Sequence, residues 1–63
     1  MAGPADRDII VEFVRLGAYL RCAAVDTETG IEATAIGPHN TDQRVLQKIA
    51  IGKLMRALAE QKS

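Results

Sequence analysis

The sequence lacks most of the residues on which small enzymes and metal proteins depend. It has one cysteine, Cys22, so no internal disulfide can form. With a single histidine, His39, a Cys/His zinc site within one chain is also excluded. The one serine, Ser63, is the last residue, which leaves no serine triad. The glycines show no G-x-x-x-x-G-K-S/T phosphate loop. Only two aromatics, Phe13 and Tyr19, are available for stacking on bases. There is no basic excess either. Eight Lys and Arg balance eight Asp and Glu, whereas a dedicated nucleic-acid binder usually has a clearly basic domain. The start, "MAGPADRD", has no basic segment followed by an apolar run, so no targeting signal is read. The most apolar stretch, "VLQKIAIGKLMRALA", is interrupted by Lys48, Lys53 and Arg56 and is too short to span a bilayer comfortably. These absences lead us to expect a cytoplasmic, non-enzymatic protein with no cofactor and no membrane partner.

What remains is one short domain. A chain of 63 residues buries only about 60% of the surface its unfolded form exposes, so it is marginal alone. Such chains usually add a disulfide, a metal or a partner subunit. Only the last is left open here. Charge is unevenly placed along the chain. Residues 1–39 carry three bases and six acids, a net of −3, and residues 40–63 carry five bases and two acids, a net of +3. The two halves should attract each other, within one chain or between two.

The pattern predicts β-β-β-α, an α+β fold. Residues 1–7 read as a disordered polar tail, and residues 8–63 as a single domain. "IIVEFVRL" (Ile9–Leu16) is β-branched and aromatic, which marks a strand. Alternation puts Ile9, Val11 and Phe13 on one face and Ile10, Val14 and Leu16 on the other. A strand apolar on both faces is more often central, or lies at an interface. Gly17 offers a turn, and "AYLRCAAV" (Ala18–Val25) follows as a second strand. Its face of Ala18, Leu20, Cys22 and Ala24 is small enough to receive a helix. "IEATAIG" (Ile31–Gly37) is a third strand, which Pro38 should stop. Asn40 is the expected N-cap, with Gln43 at capping-box spacing, for a helix from about Thr41 to Gln61. The meander should therefore carry one C-terminal helix on one face.

The stretch "VDTETG" (Val25–Gly30) resembles an ion site most, with Asp26, Thr27, Glu28 and Thr29 close together. An EF-hand loop needs more oxygen ligands and a Glu at its twelfth position, which here is Gly37. A hairpin turn explains the same residues better, with Asp opening it and Gly closing it in the left-handed conformation. Acids in such a turn are usually solvated, so Asp26 and Glu28 make a weak acid/base pair. Cys22 and His39 could in principle be a nucleophile and base, but a core cysteine and a loop histidine are the expected readings.

The helix has more apolar residues than one sheet face can use. Leu46, Ala50, Leu54 and Ala57 form one line, flanked by Ile49 and Leu58. Val45, Ile51, Met55 and Ala59 fall toward the margins or the far side. Gly52 also lies on the far side, and either allows another backbone close or is simply tolerated. Because one helix covers one sheet face, Ile10, Val14 and Leu16, or their counterparts on the opposite face, should be left open. A contiguous apolar face of that kind marks association, most often as a two-fold dimer. Ile10, Val14, Leu16, Ile51, Gly52 and Met55 are the candidate self-association residues. A weaker alternative is nucleic-acid contact through Arg44, Lys48, Lys53 and Arg56 on the helix. Some small nucleic-acid-binding domains share the three-strand, one-helix arrangement, by fold analogy only.

The run "FVRLGAYLRCAAVDTETGIEATAIGP", followed by "VLQKIAIGKLMRALA", resembles a family of small uncharacterised bacterial proteins, mostly alphaproteobacterial, grouped as a domain of unknown function. The likeness lies in Phe13, in Asp26 with Thr29 and Gly30, in Glu32, in Gly37 with Pro38, and in the Lys48–Arg56 helix. It implies a free-standing bacterial cytoplasmic protein and transfers no active-site residue.

Overall fold

The computed structural model describes residues 8–61; the expected disordered tail, residues 1–7, lies outside them, as do residues 62–63. Three strands and a helix follow in chain order: β1 (Ile9–Leu16), β2 (Tyr19–Asp26), β3 (Glu32–Pro38) and α1 (Gln43–Gln61). The strands form one antiparallel sheet in the order β1-β2-β3, with α1 packed on one face. The expected α+β meander is therefore the fold. β1 is an edge, however, and β2 is central. The helix selects this arrangement, because the small inner face of β2 lets it approach closely.

Each hairpin is set by local chemistry. Leu16 pairs with Tyr19 across the two-residue turn Gly17–Ala18. Gly17 has φ +61° and no described non-glycine residue has positive φ, which fits a type II′ turn with Gly first. Arg15 Nε donates to the Gly17 carbonyl at 3.0 Å. The second hairpin is the "VDTETG" stretch, and it is a turn. Asp26 N donates to Ile31 O at 2.9 Å and Gly30 N to Asp26 O at 2.8 Å, with Gly30 at φ +77°. Asp26 is not solvated as expected; it is fully buried. Its Oδ2 accepts both the Thr29 amide, at 3.0 Å, and the Thr29 hydroxyl, at 2.7 Å. The Thr29 hydroxyl oxygen in turn accepts from Ile31 N at 3.1 Å. Carboxylate and hydroxyl thus close the loop from inside.

The two sheet edges differ. Asp26 N points to β3, and residues alternate along an antiparallel ladder, so even-numbered residues of β3 direct their amides outward. Pro38 occupies one of these outward positions. It pairs with Tyr19 and belongs to β3, rather than stopping the strand before it. Its missing N–H costs no ladder bond there. The outward carbonyl of Thr34 accepts from Lys53 Nζ at 3.0 Å. Proline and lysine together blunt this edge against further pairing. β1 has neither residue.

The helix begins at Gln43, two residues later than expected, and its N-cap is Asp42 rather than Asn40. Pro38 O accepts from Thr41 N at 2.9 Å, which uses the preceding residues in a turn. Asp42 Oδ1 then accepts from Arg44 N at 2.9 Å, the N-cap bond to the second helical residue. A Cβ on Gly37 would meet Thr41 Oγ1 at 3.0 Å and Leu46 Cδ2 at 3.4 Å, so glycine lets the chain fold back tightly here.

The core joins Leu20, Cys22, Ala24 and Ala35 of the sheet to Leu46, Ala50, Leu54 and Leu58 of the helix. Burying each leucine contributes about 1.5–3 kcal/mol. The contact line is an i, i+4 row, which winds round the helix. Leu58 therefore joins it, Ala57 is only half-buried, and Ile49, expected as a flank, is 46% exposed. The helix lies over β2 and β3, leaving the inner β1 residues Ile9, Val11 and Phe13 half-buried at the margin.

The N-cap yields a pH test. Bonds from the Arg44 side chain, then from its backbone, hold the Asp42 carboxyl below the ordinary aspartate value. A group depressed in the folded state stabilises it above the unfolded pKa and loses that effect as pH falls through the folded one. Melting temperature should therefore decline below about pH 4. Asp42→Asn should shallow that decline in a series of thermal melts. A melting curve against pH unchanged by the substitution would contradict this role.

Candidate functional site

The face of the sheet away from α1 is built by simple alternation. Register places its residues in four rows across β1, β2 and β3. The rows are Ile10, Val25 and Glu32; Glu12, Ala23 and Thr34; Val14, Arg21 and Ile36; and Leu16, Tyr19 and Pro38. Two-thirds of this surface is apolar by residue type. No other element of the described chain packs on it. Ile10 is 52% exposed, Leu16 49%, Tyr19 56% and Ile36 60%; the last three neighbour one another toward one end of the face, and Ile10 stands at the other. Arg21 lies near the middle, on the central strand. Glu12 sits diagonally from it across the β1–β2 pair, on the same face.

The expected self-association residues divide between two places. Ile10, Val14 and Leu16 lie on this open face. Ile51 and Met55 lie on the other side of the sheet, half-buried and packed against the core. Gly52 is exposed, and a Cβ there would meet nothing within 4 Å, so no other described element approaches it closely. A shallow groove along Arg44, Gln47, Lys48, Ile51 and Gly52 marks this part of the helix. Sequence reading grouped the two sets because both are spare apolar surface; the structure shows which face of β1 is the open one and puts the sheet between the two sets. It also omitted Tyr19 and Ile36, although alternation along β2 and β3 puts both on the open face.

The basic residues do not form one patch. At 3.6 residues per turn, Arg44 and Lys48 fall on the flank that carries Ile51 and Met55, and Lys53 and Arg56 on the opposite flank. Arg44 forks onto Asp42, with Nη2 to Oδ2 at 3.0 Å, and Lys53 is bound to Thr34 O.

Cys22 is fully buried beneath the helix, and burial pushes its thiol up from the ordinary value. His39 lies exposed in the β3–α1 turn, its backbone N donating to Ala18 O at 2.8 Å. Among the described residues, no group of three or more His, Cys, Asp and Glu could hold a metal ion. No described helix is long and apolar enough to cross a membrane.

Fold and surface together define a small α+β domain with one sheet face filled by a helix and the other left open by the described residues. The family described as "Domain of unknown function (DUF6898)" matches residues 6–62, and the chain belongs to that family. No curated protein and no solved structure matches the chain.

The burial of Cys22 gives a direct test. The thiolate is the reactive form, and here it is both disfavoured and covered. In native buffer Ellman's reagent should label Cys22 far more slowly than in denaturant. Leu54→Ala, which opens the core above the thiol, should speed labelling. Rapid labelling of the native wild type would contradict the packing.

Proposed function

We propose that the domain is a non-enzymatic interaction module that self-associates as a homodimer through its open sheet face. The observation that carries this reading is the open, mostly apolar sheet face, on which Leu16, Tyr19 and Ile36 stand exposed toward one end and Ile10 at the other. A second copy supplies the missing second layer, as two sheets do in a sandwich. Nucleic-acid binding is less well supported, because the basic side chains are split between two helix flanks and two of them are engaged. The single buried thiol suits a reducing compartment, and we place the protein in the cytoplasm.

Light scattering over a range of concentrations tests the proposal. The mass should approach twice 6.8 kDa. Ile36→Asp should drive it to the monomer value while far-UV circular dichroism is kept, because Ile36 is 60% exposed. Val45→Asp, at an exposed apolar site on the helix instead, should leave the dimer intact. A wild-type monomer at every concentration, or a dimer indifferent to Ile36→Asp, would contradict the proposal.

A further inference from the structure

The open face carries charges as well as apolar groups, and their positions restrict how two copies can stack. We infer that two open faces stack about a two-fold axis perpendicular to the strands, joined by two reciprocal Glu12–Arg21 ion pairs. This inference rests on the self-association reading above.

The argument is geometric. Stacked sheets keep their strands roughly aligned and lie about 10 Å apart. A two-fold axis between them runs either along the strands or across them. An axis along β2 would lay Arg21 on the partner's Arg21 in the middle of the contact, where like charges repel most strongly. An axis across the strands, passing at Cys22, places Arg21 over the partner's Ala23. The small side chain leaves room for a guanidinium. Glu12 then faces the partner's Val14, one strand away from the partner's Arg21. That offset is about 4.8 Å, within the reach of an arginine side chain. Symmetry makes the contact twice. The apolar rows match in the same arrangement: Ile10 falls over the partner's Leu16, and Val25 over the partner's Tyr19. Neither Glu12 nor Arg21 makes an ion pair with another described residue of its own chain. Among the described residues, then, both are open to a second copy, and in this stacking the face is complementary to itself in charge.

Charge reversal tests this. Glu12→Arg and Arg21→Glu should each weaken dimerisation by at least about tenfold, because each sets like charges against each other. Mixing the two variants should restore a heterodimer of near wild-type affinity, since both intermolecular pairs are then opposite in sign. Repair within one chain cannot produce that result, because neither variant holds both reversed residues. Circular dichroism of each variant before mixing verifies folding. If a variant fails to fold alone, Glu12→Gln and Arg21→Gln replace the reversals, and a double-mutant cycle on the dimerisation constant reads the coupling. A wild-type dimer with no recovery on mixing, or with no coupling in the cycle, overturns the arrangement and leaves self-association standing. A wild-type monomer overturns both.

Discussion

One helix is asked to complete the core of a three-stranded sheet, and it can lie on only one side. The rest of the structure depends on that geometric limit. The inner face of β2 offers Leu20, Cys22 and Ala24, small enough for Leu46, Ala50 and Leu54 to settle into contact. The helix consequently lies over β2 and β3 and reaches β1 only at its margin. Among the described residues, nothing covers the far side of the sheet.

The same limit explains how the edges are treated. Lys53 comes from the flank of α1 that overhangs β3, and it satisfies an outward carbonyl there. Pro38 adds a position that cannot donate. β1 lies away from the helix and has no such protection. Its apolar residues on both faces are consistent with a strand whose surroundings are completed by another copy. The apolar excess of β1 and the bare outer sheet face are thus two consequences of one off-centre helix.

Much of this was legible in the sequence. Strand order, hairpin positions and the small face of β2 follow from alternation and from glycine placement, both local properties. The "VDTETG" turn was readable for the same reason. The burial of Asp26 was not, because it depends on where β2 ends relative to the core. The helix start was misread at Asn40. Both Asn40 and Asp42 can cap, and the choice is made by the Pro38–Thr41 turn that precedes the helix. Ile49 looked like a core flank because a straight line along the helix was assumed; the crossing follows an i, i+4 row instead. Which face of β1 the helix covers needed the structure. No sequence pattern carries that information directly.

The central claim is that the bare sheet face is covered in solution by a second copy. The most direct measurement is paramagnetic relaxation of methyl groups by a neutral soluble probe, at dilute and at high protein concentration. The account predicts that the Ile10, Leu16 and Ile36 methyls become shielded as concentration rises, while the Val45 methyls on the helix stay accessible throughout. Equal accessibility of all four residues at every concentration would contradict it.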